Sequence, residues 1–91
     1  MNTEQILTML KYNLDIIPTD TTRDIYLLQL INSAKSLIKR EGVLLTGGFE
    51  DGQLIVMYAA YLYRKRAVDE PMPRMLRWAL NNRIFAQKIG G

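Results

Sequence analysis

Hydrophobic positions recur along this chain at helical spacing, and they mark four segments. The densest is Asp51 to Arg66, DGQLIVMYAAYLYRKR, where ten uncharged, mostly apolar residues run from Leu54 to Tyr63 and three cations, Arg64, Lys65 and Arg66, close the run. Acid at the start and base at the end complement a helix dipole, and Asp51 reads as the N-cap. Leu54, Tyr58, Tyr61 and Leu62 form one stripe, while Ile55, Met57, Ala59, Ala60 and Tyr63 cover most of the remaining surface. A helix apolar on nearly every side must be enclosed. Ten residues extend only about 15 Å, half of a bilayer core, so this is a core helix and not a membrane span.

The other three segments are amphipathic. A helix opening at Thr3, with a hydroxyl cap and Glu4 in its first turn, aligns Ile6, Leu7, Leu10 and Leu14 and ends before Pro18, with Ile16 and Ile17 packing as a hydrophobic bridge. A second begins in the run Thr19 to Thr22, where Thr21 and Asp24 have capping-box spacing, and continues to Glu41, stopped by Gly42. Its stripe is Leu27, Leu30, Ile31, Ala34, Leu37 and Ile38. Val43 to Phe49, with Gly47 and Gly48, reads as a connector, and Ala67 to Pro73 as a linker that places Pro73 at the first position of the last helix. Met75, Leu76, Ala79, Leu80, Arg83 and Ile84 set the inward face of that helix, with Trp78 and Phe85 on another flank.

The pattern predicts an all-α fold: a compact irregular array of about four helices in one domain, residues 1–91, around a central buried helix (Asp51 to Arg66). A hydrophobic fraction of 48% with 23% charged residues is that of a globular chain. So small a domain buries a modest share of its surface, which favours association with other copies. Trp78 and Phe85 leave a second apolar face for that purpose.

The chain has no cysteine and no histidine, which removes disulfides, thiolate metal sites and the usual neutral-pH proton shuttle. Glu50-Asp51 and Asp69-Glu70 are adjacent acids without a base or nucleophile beside them. No catalytic residue, cofactor or metal is expected, and the chain reads as a non-enzyme. MNTEQILTML lacks the features of a signal peptide, so a cytoplasmic origin is expected. Charge is uneven: residues 1–63 carry five Lys or Arg against seven Asp or Glu, net −2, and residues 64–91 carry seven against two, net +5. Arg64, Lys65, Arg66, Arg74 and Arg77, with Tyr63 and Trp78 nearby, would suffice for phosphate contacts without sequence preference.

An acidic Asp24 start to a helix ending IKREG, a loop, Leu54 to Arg66 ending YAAYLYRKR, and then MPRMLRWALNN resembles the head-tail connector (head-completion, or DNA-packaging adaptor) proteins of long-tailed bacteriophages and prophages. The likeness spans about Asp24 to Arg83. Its most specific part is Tyr58, Ala59, Tyr61, Leu62, Tyr63 and Arg66, followed by Met72-Pro73 and Leu80-Asn81. The resemblance implies a four-helix structural subunit of an oligomeric ring that binds below the portal protein after DNA packaging, retains the genome and offers the tail attachment surface. The implied partners are other copies of the chain, the portal, a tail-side connector or head-closure protein, and packaged DNA passing through the channel, with no membrane involved. The implied location is the virion neck, and the host cytoplasm during assembly. Many relatives end their last helix on a Gln-Leu-Arg type motif. This chain has Asn82-Arg83-Ile84 there, so Arg83 alone carries over.

On this reading Tyr58, Tyr61, Tyr63, Trp78 and Phe85 are candidates for a subunit or portal interface, and Arg64, Lys65, Arg66, Arg74 and Arg77 for DNA-facing or rim cations. The alternative is a small basic helical protein that binds nucleic acid without sequence specificity. An antitoxin-like or regulatory partner protein is a third reading.

Overall fold

In a computed structural model that describes residues 1–66, 69 and 71–90, four helices follow one another: α1 (Thr3–Asn13), α2 (Asp24–Arg40), α3 (Phe49–Lys65) and α4 (Arg74–Gly90). The fold is all-α, with no strand among the described residues. α1 and α2 pack on α3 and on each other, and α4 packs mainly on α3. The enclosed helix is therefore where the hydrophobic pattern put it. Leu54, Ile55, Val56, Tyr58, Ala59, Ala60 and Tyr61 are all buried. No helix among the described residues is long and apolar enough to cross a membrane.

The caps differ from the sequence reading. α1 is capped by Asn2 and not Thr3: Asn2 Oδ1 accepts from the Gln5 amide at 2.8 Å, and Gln5 Oε1 accepts from the Asn2 amide at 2.9 Å. This reciprocal pair satisfies two donors that the first turn leaves open. Thr21 does not form a capping box either. Asp20 accepts from the Thr22 amide and hydroxyl, at 3.0 and 2.7 Å, which makes a tight polar turn just ahead of α2. Asp24 is thereby released to face α1, where its Oδ1 lies 2.7 Å from the ammonium of the buried Lys11. Ile16 is buried as expected, whereas Ile17 stands 69% exposed.

α2 ends at Arg40, and Gly42 follows with a φ of 98°, the left-handed conformation that glycine adopts without strain. α3 starts at Phe49 with Gly48 as N-cap, so Asp51 lies inside the first turn and is not the cap. Pro73 stands just before α4, its carbonyl accepting from the Arg77 amide at 3.1 Å. Leu76 and Leu80 hold α4 to the core, their burial contributing roughly 2 kcal/mol each. Met75 was expected on the same face and points outward instead, 72% exposed.

Candidate functional site

Two side chains one turn apart on α4 clasp the connector between α2 and α3. Arg83 donates to the Asp51 carboxylate and, at 3.0 Å, to the Leu44 carbonyl. Gln87 accepts from the Leu44 amide at 2.8 Å and donates to the Gly42 carbonyl at 3.0 Å. Asp51 also accepts from the Thr46 amide and hydroxyl and from the Gly47 amide. Burial pulls the Asp51 carboxyl upward, but the Thr46 amide, the Arg83 guanidinium and the Thr46 hydroxyl together outweigh it and hold the group below its ordinary value of 3.8. Asp51 is thus a buried anion committed to structure. Its partners leave no oxygen for a substrate or a metal, and the described residues contain no cluster of three or more metal-ligating side chains.

With its inner side fixed by Leu76, Leu80, Arg83 and Gln87, α4 turns a second apolar stripe outward. Met75, Trp78, Phe85 and Ile89 are 72%, 67%, 63% and 72% exposed. Asn82 falls between them, and the five positions are spaced three, four, three and four residues apart. Sequence reasoning picked out Trp78 and Phe85 but missed the rest, because it assigned Met75 to the inner face and gave Asn82 and Ile89 no role. Beside the stripe, at Ala79, opens a cavity of about 230 Å³ lined by Phe49, Leu54, Met57, Ala79 and Arg83, among others.

The tyrosines expected at an interface divide. Tyr58 and Tyr61 are buried, edge to face at 6.0 Å, in the chain's own core, because α1, α2 and α4 together enclose α3. They offer no surface to a partner, a correction to the sequence reading. Burial, with the Glu41 carboxylate nearby, raises the Tyr58 phenol above its usual 10.0 and keeps it neutral. Tyr63 is half-buried, paired with Tyr26 at 6.2 Å.

The expected cations do not form one patch. Successive residues on a helix point about 100° apart, so Arg64, Lys65 and Arg66 leave α3 in three directions. Arg64 reaches α1, donating to the carbonyl and side-chain oxygen of Asn13 at 3.1 and 3.0 Å. Lys65 lies 5.7 Å from the Tyr61 ring. Arg66 lies over Tyr26 and Tyr63, at 4.9 and 5.2 Å. Arg77 pairs with Glu41 at 2.7 Å, and Arg74 is exposed at the start of α4. Much of the expected phosphate-binding charge is therefore engaged within the chain. Arg66 combines a cation with two aromatic faces, and Lys65 with one.

No protein-family model, no curated protein and no solved structure matches this chain. The site is accordingly defined by the surface itself: an apolar stripe on α4 and a separate cation–tyrosine cluster at the end of α3.

Proposed function

We propose that this chain is the structural subunit of a bacteriophage head-tail connector ring, seated below the portal after DNA packaging, retaining the genome and carrying the tail. The reading begins with the resemblance in Tyr58 to Arg66 and Met72 to Asn81. The four-helix all-α subunit fits it. The observation that carries it is the outward stripe of α4. The core is closed without Trp78 and Phe85, yet both stand more than three-fifths exposed beside Met75 and Ile89. A contiguous exposed apolar stripe of this kind marks a surface for a partner, and in a ring that partner is a neighbouring subunit or the portal. The alternative, nucleic-acid binding without sequence preference, draws on Arg66 and its two tyrosines.

Negative-stain imaging of the purified chain, alone and with portal rings of its phage, tests the proposal. Annular particles that survive high salt are the expected result. Their absence in both samples overturns it. DNA affinity that falls by about 0.9 log unit per log unit of salt for each phosphate neutralised would favour the alternative.

A further inference from the structure

We infer that two copies of this chain pair through α4, lying parallel and in register with Asn82 against Asn82. The stripe has the three-four spacing of a two-stranded coiled coil, with Met75, Asn82 and Ile89 at its a positions and Trp78 and Phe85 at its d positions. Every other position of the helix agrees. The opposite, f positions are Leu80 and Gln87, which face the subunit core and the Gly42 to Leu44 connector. The e positions beside the seam are Ala79 and Ala86, small enough for close approach. Arg77 and Arg83 are drawn away from the seam by Glu41 and Asp51.

Orientation follows from charge and from the polar residue. An antiparallel pair centred at residue 81, midway between Arg74 and Lys88, would set Arg74 of one copy beside Lys88 of the other, two like charges at flanking g positions. A parallel pair sets Arg74 beside an alanine and carries Lys88 past the end of the seam. It also lets the two Asn82 amides bond to each other, the device by which a single a-position asparagine fixes two strands in register. The large Trp78 ring has a place to go: the second copy's indole passes over Ala79 into the cavity of about 230 Å³ lined by Phe49, Leu54 and Met57, with Glu50, Gln53 and Arg83 at its polar side. Two heptads are too short to hold free peptides together, but α4 is already helical because it is docked on α3, so the ordering cost falls before the copies meet.

The pairing concerns the free chain and holds whether or not the connector reading does. If both hold, they compete, because a stripe closed against a second copy is closed to a ring neighbour or portal, and the pair is a reserve that assembly must open.

The chain has no cysteine, so single-cysteine variants report the geometry directly. Under mild oxidation I89C and N82C are each expected to form a covalent dimer, while S33C on the exposed side of α2 stays monomeric. Emission of Trp78, the only tryptophan, is expected to shift to shorter wavelength as wild-type concentration rises. I89C and N82C both remaining monomeric overturns the pairing. A dimer from N82C without one from I89C, with M75C and I89C crosslinking each other when mixed, overturns the parallel register. None of these outcomes bears on whether portal rings recruit the chain, so a failure of pairing and a failure of the connector reading are read separately.

Discussion

The guanidinium of Arg83, in the middle of α4, is bonded to the carboxylate of Asp51, in the first turn of α3 and 32 residues earlier. That contact joins the last helix to the start of the central one, whose Asp51 in turn holds Thr46 and Gly47 of the connector. Asp51 is 2% exposed, so removing its countercharge strands a buried anion. Arg83→Leu is expected to cost about 3 kcal/mol, at the low end for a broken buried pair because Thr46 and Gly47 still donate to the carboxylate. Urea denaturation measures it, and a loss below about 1 kcal/mol would show that the clasp is not what holds α4.

Acid should act through the same carboxyl. Asp51 titrates below its ordinary 3.8 in the folded chain, so its contribution is complete above about pH 4 and is lost as pH falls through the depressed folded value. Asp51→Asn is expected to flatten the stability curve below pH 4 relative to wild type. Identical acid limbs for the two proteins would contradict this assignment.

Lys11 makes the second buried ionic contact, holding the Pro18 and Asp20 carbonyls at 3.3 and 2.9 Å as well as Asp24. Lys11→Met keeps the stem's packing but leaves these oxygens without a donor. A loss of about 2 kcal/mol is expected from the unmet acceptors, and Asp24→Asn in the same background should recover part of it. If the two substitutions simply add in thermal melts, the ion pair carries no coupling.

Aromatic substitutions should separate the core from the surface. Tyr58→Ala is expected to destabilise the folded chain by about 3 to 5 kcal/mol, as for other large buried rings. Trp78→Ala and Phe85→Ala should change subunit stability by less than about 0.5 kcal/mol, because both side chains stand free of the core, while weakening self-association. Chemical denaturation at low concentration and light scattering at high concentration give the two readouts. A large stability loss from Trp78→Ala in the dilute monomer would place its ring inside the subunit fold.

The sequence was most legible where one face was unambiguous. Leu27, Ile31, Ala34 and Ile38 are buried as their spacing required, and so is most of the apolar run of α3, from Leu54 to Tyr61 apart from Met57. It was least legible where a local signal had a distant owner. Asp51 looks like a cap when only its neighbours in sequence are considered, but its partner Arg83 lies on another helix, and no periodicity reports a pairing over that distance. Asn2 took the cap from Thr3 because Gln5 completes the reciprocal bond three residues on. Tyr58 and Tyr61 read as interface candidates through the resemblance, whereas the packing of α1, α2 and α4 around α3 buries them. α4 carries two stripes of comparable hydrophobicity, and the choice between them rests on Arg83 and Gln87, polar residues whose acceptors on the connector cannot be seen in the helix itself.

α4 rests mainly on α3, whereas α1, α2 and α3 rest on one another. In a denaturant series the amide exchange of α4 would follow the detachment of this one helix, whereas circular dichroism would follow the loss of helix as a whole. The two curves need not share a midpoint. A gap between them would be the sign that α1, α2 and α3 form the cooperative body and that α4 is an arm able to lift from it.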